Sequence, residues 1–317
     1  ENPFISGRRD DVIQKYSSLQ RSDVYSFDEL LNFTNLPSNE FAPSIAFVHI
    51  PKAAGNTYMK VLRQNCKRRI SVNNQSIFSN STPERLYHET KNGFPYIVEG
   101  HMRLSNVVFN IIQSKHVCVS LLRDPVERLL SNYYFQGSKK NAPYHQQLIR
   151  GEIDFIGFVK AHLTDYFGLQ YFFFSARKDG GIDDVETCLK NLEHRVSFFG
   201  LSDCFVEFLA LNKHLLGINN LMLEGKENET PQIDGEYQMY GRMHDVSPQD
   251  IEDVCHLIED DIYFFQRAKE LYNKRVHRMQ IDSLISSVAQ ALGDYQNLIR
   301  ALKQTTPDRH PWQNLYR

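Results

Sequence analysis

The stretch Ile45-Ala-Phe-Val-His-Ile-Pro-Lys-Ala-Ala-Gly-Asn-Thr-Tyr58 constrains this chain more than any other. Ile45 to Ile50 is a short, mostly apolar run, which suits a buried strand. Pro51 to Gly55 follow as a small-residue turn, and a helix is expected from near Asn56 towards Cys66. A strand that turns directly into a helix in this way makes an anion site. The N–H groups of the turn and of the first helical turn point at one spot, and the helix dipole favours negative charge there. Lys52 adds a mobile cation at the rim. Gly55 lets the backbone come close to a ligand, and Asn56 and Thr57 add side-chain donors.

A second unit of the same kind begins at Val117-Cys-Val-Ser-Leu-Leu122, again an apolar run of strand length. It leads into Arg123-Asp-Pro-Val-Glu-Arg-Leu-Leu-Ser131. Asp124 is a good N-cap, Pro125 suits the first helical position, and Glu127 stands at the third, so a helix begins here. Arg123 marks the strand end and Ser131 lies two turns into the helix. Taken alone, these could be a surface ion pair and a helix-face hydroxyl. Two strand–turn–helix units predict an α/β chain with a central parallel sheet flanked by helices, a P-loop-like fold in three layers.

The first loop departs from a Walker A loop, which reads G-x-x-x-x-G-K-[ST]. Here Lys52 precedes Gly55 and there is no first glycine. The order H-I-P-K-x-x-G-x-T after a strand resembles instead the 5′-phosphosulfate loop of PAPS-dependent sulfotransferases. Arg123 and Ser131 resemble the pair that grips the cofactor's 3′-phosphate in those enzymes. The resemblance is to carbohydrate O-sulfotransferases of the heparan sulfate 2-O- and 6-O-sulfotransferase type, and it runs from Ile45 to Arg278. It implies PAPS as donor, PAP as product, no metal, and a hydroxylated acceptor, most readily a glycan. It assigns Lys52, Ala53, Ala54, Gly55, Asn56, Thr57 and Tyr58 to the phosphosulfate, and Arg123 and Ser131 to the 3′-phosphate. Gln170, inside the aromatic run Tyr166 to Phe174, becomes a neighbour of the cofactor; the other aromatics read as core. Residues 224–247 are polar and aperiodic, a long loop of the kind that forms lids, and Arg242 is its cofactor-contact candidate. Gly200-Leu-Ser-Asp-Cys-Phe-Val-Glu-Phe-Leu209 approximates a further family segment, with Asp203 and Phe208 as departures.

Transfer to a hydroxyl needs a base for its proton, and histidine suits that near neutral pH. Tyr96 to Val98 reads as a strand, and Gly100-His101 lies just past its end, where ligands collect in open parallel sheets. In the 2-O-sulfotransferase type a histidine after a glycine at this place is the proposed base, so His101 is the choice. Glu99 is the reserve. If the chain stays extended through Gly100, the two side chains share a side. Lys52 and the loop amides would neutralise charge during in-line displacement.

The 317 residues carry a net charge of −2, which argues against a nucleic-acid partner and offers a polyanion no broad attraction. Any acidic acceptor would need a local basic patch. Lys67-Arg-Arg69 is either that patch or a solvated helix end. A neutral glycan or a small hydroxylated metabolite stays open as acceptor. A kinase would need a Walker lysine and a magnesium-binding acid after a strand, and neither arrangement is present. A catalytically silent glycan-binding scaffold could keep the fold, but Lys52, Arg123, Ser131 and His101 together speak against it.

Cys66, Cys118, Cys188, Cys204 and Cys255 match no metal motif. Cys118 reads as a buried strand residue, and bridges among the others depend on an oxidising compartment. Sequons at Asn32, Asn74, Asn80 and Asn228 suit the secretory pathway. No apolar run reaches membrane-span length. The chain begins at Glu1 rather than Met, so the expectation is a trimmed, membrane-anchored enzyme of the Golgi lumen, and a cytoplasmic one otherwise. Three parts are expected: an N-terminal arm over 1–43, a sulfotransferase domain over 44–280, and a C-terminal helix and tail over 281–317. The tail would pack on the domain or on a partner chain, a second copy included.

Overall fold

A computed structural model describes residues 23–33, 43–66, 68–72, 82–91, 95–104, 108–164, 168–177, 181–221, 232–233, 236–237 and 240–305. The expected helix around Val12 to Leu19, the 37–43 linker, the sequons at Asn74, Asn80 and Asn228, and the end of the tail lie outside these residues. In chain order the elements are α1 (Phe27–Phe33), β1 (Ser44–Val48), α2 (Gly55–Asn65), β2 (Arg69–Ser71), α3 (Thr82–Lys91), β3 (Ile97–Gly100) and α4 (Val108–Ile111). Then follow β4 (His116–Leu122), α5 (Pro125–Ser138), α6 (His145–Ile149), α7 (Phe155–Thr164), α8 (Val185–Arg195), β5 (Phe198–Leu201) and α9 (Phe205–Leu216). The chain closes with α10 (Pro248–Leu257), α11 (Glu259–Met279) and α12 (Asp282–Thr305).

Strands β1 to β5 form one parallel sheet in the order β2-β3-β1-β4-β5, and Gln232–Ile233 pairs antiparallel with Glu236–Tyr237 apart from it. Helices flank it, so the architecture is the three-layer α/β fold expected from the two strand–turn–helix units. The inner strands β3, β1 and β4 are buried on both faces, which is why β1 and β4 read as nearly continuous apolar runs. Phe47, at the centre of β1, is fully buried, and cutting it to alanine would cost about 3–5 kcal/mol. The Ser120 hydroxyl donates to the Val48 carbonyl at 2.9 Å and ties β4 to β1 near their C-terminal ends.

From β1 the chain moves outward to β2 and returns to β3. From β3 it crosses to β4 on the other side of β1. The direction of winding therefore reverses at β1, and the loops after β1 and β4 diverge from a shared crevice. That is the position at which open α/β sheets bind ligands. A second apolar cluster, centred on Leu129, Tyr133, Phe155 and Phe158, joins α5, α6, α7 and α10 beside the main core.

Two differences from the sequence reading concern local ends. The strand β2 was not expected, because its three residues are mostly exposed and only Ile70 is buried; pairing with β3 makes it a strand. A serine just before an apolar helical run is expected to cap it, but Ser202 opens a short 3₁₀ turn over Ser202–Cys204 and its hydroxyl donates to Asp203 instead. By contrast Ser247 and Asp250 form the reciprocal capping box that starts α10. None of the five cysteines is in a disulfide, and Cys118 is buried in β4.

Candidate active site

The loop after β1 is built from two unusual residues. Lys52 and Ala54 both hold positive φ, 64° and 61°, on either side of Ala53. Left-handed conformations cost a non-glycine residue about 1–2 kcal/mol. Set alternately along a turn, they swing successive N–H groups to the same side and form a nest for an anion. The nest opens into the N-terminus of α2, which has no side-chain cap. Its first N–H groups are thereby left to a ligand.

Lys52 crosses the ring of Phe135 on α5, with its ammonium 4.0 Å from the centroid. Burial pushes its pKa down to about 8, and the nearby charges of Arg123 and Lys139 push the same way. Arg123 reaches across the crevice: its guanidinium donates to the Lys52 carbonyl at 3.3 Å and pairs with Glu127 at 3.3 Å. Ser131 lies buried on the same helix. The structure thus brings Lys52, the loop amides, Arg123 and α5 together at the reversal of the sheet.

Gln170 has a positioning role. Its side-chain amide accepts from the Arg123 N–H at 2.9 Å and donates to the Arg123 carbonyl at 2.6 Å. Its own N–H is held by the buried carboxylate of Asp261 at 2.7 Å. Burial raises the Asp261 pKa to about 6, against the opposing pull of buried Arg128. Asp261 gave no signal in the sequence beyond its place in an acidic run.

At the end of β3, Gly100 permits the close approach of the β2 segment: a Cβ there would meet the Val72 carbonyl oxygen at 1.5 Å. His101 follows, and its Nδ1 lies 2.7 Å from the His49 carbonyl oxygen. A carbonyl only accepts, so Nδ1 carries the hydrogen and Nε2 keeps the lone pair when the ring is neutral. Burial lowers the His101 pKa from its ordinary value, with the hydrogen bond to His49 opposing. A neutral, acceptor-bearing Nε2 is what a proton-abstracting role requires.

Four expectations change. The Glu99 carboxylate is fully buried and committed to Arg63 at 3.1 Å and Arg69 at 3.4 Å, so it serves an ion-pair cluster and not as a reserve base. Tyr58 is fully buried and its hydroxyl donates to Asn212 at 2.5 Å, with Phe208 packed edge-on against its ring. Its side chain belongs to the core, and its N–H is spent on Ala54 inside the helix. Arg242 is exposed, and its backbone docks on Ile149 and beside Gly151, at the end of α6. Gly55 makes room for a side chain as well as for a ligand, because a Cβ there would sit 2.1 Å from Cδ2 of His49. His49 itself was missed as a site residue. The position rule that singled out His101, a polar residue just past a strand's C-terminal end, applies to it equally.

Arg68 and Arg69 do not form a solvated helix end; the other reading of that segment, a basic patch, is met in altered form. Arg63, Cys66, Arg68, Arg69, Arg85 and Glu89 line a cleft of about 600 Å³ along the end of α2, β2 and α3. Arg69 belongs to a strand and not to a helix end, and Lys67 lies outside the described residues.

The family described as the Sulfotransferase family matches residues 41–274, which takes in the sheet, both loops and most of α11. The chain belongs to the sulfotransferase family. No curated protein matches the chain at a significant level. Family membership gives the anion nest and its neighbouring arginine a chemical meaning, since sulfuryl transfer is the handling of one oxyanion between two others. None of the described helices is long and apolar enough to cross a membrane.

Proposed function

We propose that this sulfotransferase takes its sulfuryl group from PAPS and passes it to a glycan hydroxyl, as a carbohydrate O-sulfotransferase related to the heparan sulfate 2-O- and 6-O- type. The observation that carries the reading is the junction of the two loops, in which the Arg123 guanidinium rests on the Lys52 carbonyl at 3.3 Å. One loop offers an N–H nest with a cation, and the other offers a guanidinium and the buried Ser131. Two anion-binding elements this close fit a ligand with a 5′-phosphosulfate and a 3′-phosphate.

Bound PAPS supplies an activated sulfuryl group on a phosphate leaving group. His101 Nε2 takes the acceptor hydroxyl proton. The loop N–H groups and Lys52 hold negative charge that develops at the transferring and leaving oxygens, the kind of preorganised electrostatic stabilisation that dominates many enzymes. The half-buried Lys52 does this more strongly than it could in open water. The arginine cleft beside β2 favours an acidic glycan over a neutral one, because its four guanidinium groups outnumber the Glu89 and Glu99 carboxylates that pair with three of them.

Calorimetric titration with PAP, with ADP as control, tests the donor. Tight PAP binding and much weaker ADP binding are expected, since ADP carries its second phosphate at the 5′ end and has none at the 3′ position that Arg123 and Ser131 would hold. Equal affinity would remove Arg123 and Ser131 from the site. Transfer of labelled sulfate from PAPS to matched acidic and neutral glycans then tests the acceptor, and activity on the neutral glycan alone would overturn the acidic preference.

A further inference from the structure

A second imidazole is wedged behind His101, and the established features of the site do not account for it. The His49 ring stacks on Phe47 on one side, with centroids 5.4 Å apart and planes 18° apart. On the other it lies 4.3 Å from the His101 ring. Its edge fills the space left by Gly55, where a Cβ would come 2.3 Å from Nε2. Its backbone is pinned as well: the His49 N–H donates to the Gly100 carbonyl at 2.9 Å, and its carbonyl takes the His101 Nδ1–H. A ring caged by Phe47, Gly55 and His101 has little rotational freedom, and His101 is tied to the same residue by both ring and carbonyl.

We propose that His49 is the positioning residue for His101. Its carbonyl selects the tautomer, and its ring, seated in the Gly55 notch, sets the plane in which His101 presents Nε2 to the acceptor. This rests on the reading of His101 as base. Burial, His101 and the Arg63 charge together hold His49 down to about 3, so it stays neutral while His101 gains a proton. The charged groups around the pair are Arg63 from α2, which pairs with Glu99 from β3, and Arg69 from β2, which shares the same carboxylate. This cluster is itself balanced in part by Glu99, and the Arg63 charge acts on His49, which stays an uncharged spacer beside His101.

The test compares wild type, His49→Ala and His49→Gln by turnover, PAP affinity, the acidic limb of the kcat/KM profile, and the His101 tautomer and titration by imidazole nitrogen NMR. His49→Ala is expected to lower kcat about tenfold or more through loss of alignment, with PAP affinity unchanged. Its acidic limb should move upward, because water reaching His101 relieves the burial that lowers its pKa. The NMR spectrum should keep the Nδ1–H tautomer, because the substitution leaves the backbone carbonyl of residue 49 in place, while the His101 titration moves upward. His49→Gln, neutral and planar, should recover part of the turnover. An unchanged kcat and an unchanged acidic limb in His49→Ala would overturn the proposal, as would an Nε2–H His101 in the wild type or a loss of PAP affinity in step with kcat. Should His49→Ala fail to fold, His49→Gln decides alone: a wild-type profile and tautomer support the neutral spacer, and a kcat loss with an unshifted His101 titration overturns it. A His101→Ala enzyme that keeps its turnover would instead remove the base reading. The NMR arm still reports whether His49 orients His101.

Discussion

After β4 the chain turns through Asp124, whose carboxylate caps α5 by accepting the Glu127 N–H at 3.0 Å, with Pro125 at the first helical position. After β1 it turns through Lys52 and Ala54 at positive φ, and α2 begins without a side-chain cap. The two loops meet at the same crevice and are held in opposite ways. Local side-chain chemistry stabilises the first. The second is strained locally and held from outside, by Arg123 on the Lys52 carbonyl, by Phe135 beneath the ammonium and by His49 against Gly55. An anchoring loop can be built from its own sequence. A loop that must present several N–H groups to one oxyanion cannot use those groups for its own stability, so its neighbours hold it.

The sharpest way to break the comparison is at the reacting end. His101→Ala should lower turnover by about 10²–10⁴ while PAP affinity stays unchanged, because a general base acts on the transition state and not on nucleotide binding. Lost affinity would make His101 a structural part of the strained loop. At the anchoring end, Arg123→Ala should weaken PAP binding about ten- to hundredfold, the range for losing a hydrogen bond to a charged group, and leave ADP binding nearly untouched. Parallel loss for both nucleotides would mean that Arg123 supports the Lys52 loop and does not read the 3′-phosphate.

A pH titration sharpens the same contrast. Lys52 is charged below about 8 and loses its proton above it. PAP affinity should therefore be highest below about 8 and fall as pH rises through it, and Lys52→Arg should abolish the fall. Without ligand the sign reverses for stability. The folded pKa is depressed from 10.5 to about 8, so the unfolded chain binds more protons across that window and stability rises with pH there. A PAP affinity flat through that window would take Lys52 away from the anion.

The smallest effects compare the two loops directly. Asp124→Ala should destabilise the protein by about 1 kcal/mol through loss of the cap. Ala54→Gly should be neutral or stabilising by up to about 1 kcal/mol, because glycine adopts positive φ without strain. Thermal unfolding of the two variants measures both. Destabilisation by Ala54→Gly would show that the methyl group packs more than the backbone strains.

The difference between the loops also explains what could be read from the residues. Asp124-Pro125 and Ser247-Pro248 announce their helices because the capping partners lie within one turn. Both buried strands of the central pair announce themselves because two-sided burial leaves them almost wholly apolar. The edge strand β2 does not, since Arg69 and Ser71 look like loop until β3 pairs with them. Among site residues, Lys52, Arg123 and His101 stand at strand ends, where position alone marks them. Glu99 is one residue inside a strand, and only the approach of Arg63 and Arg69 shows that its carboxylate is already engaged. Asp261 and Gln170 are far from Arg123 in sequence, and the relay from the Asp261 carboxylate to the Gln170 N–H, and from the Gln170 amide to the Arg123 backbone, is invisible before the chain folds.

The sequence by itself therefore determined the parallel α/β layout, the two strand–turn–helix units and the residues at their turning points. Apolar runs, caps and short turns are properties of neighbouring residues. Only the tertiary structure decided which polar groups remain available for chemistry. Availability depends on partners brought from other strands and helices: arginines occupy Glu99, Asn212 occupies Tyr58, and the His49 carbonyl fixes the proton on His101 Nδ1 and leaves the lone pair on Nε2.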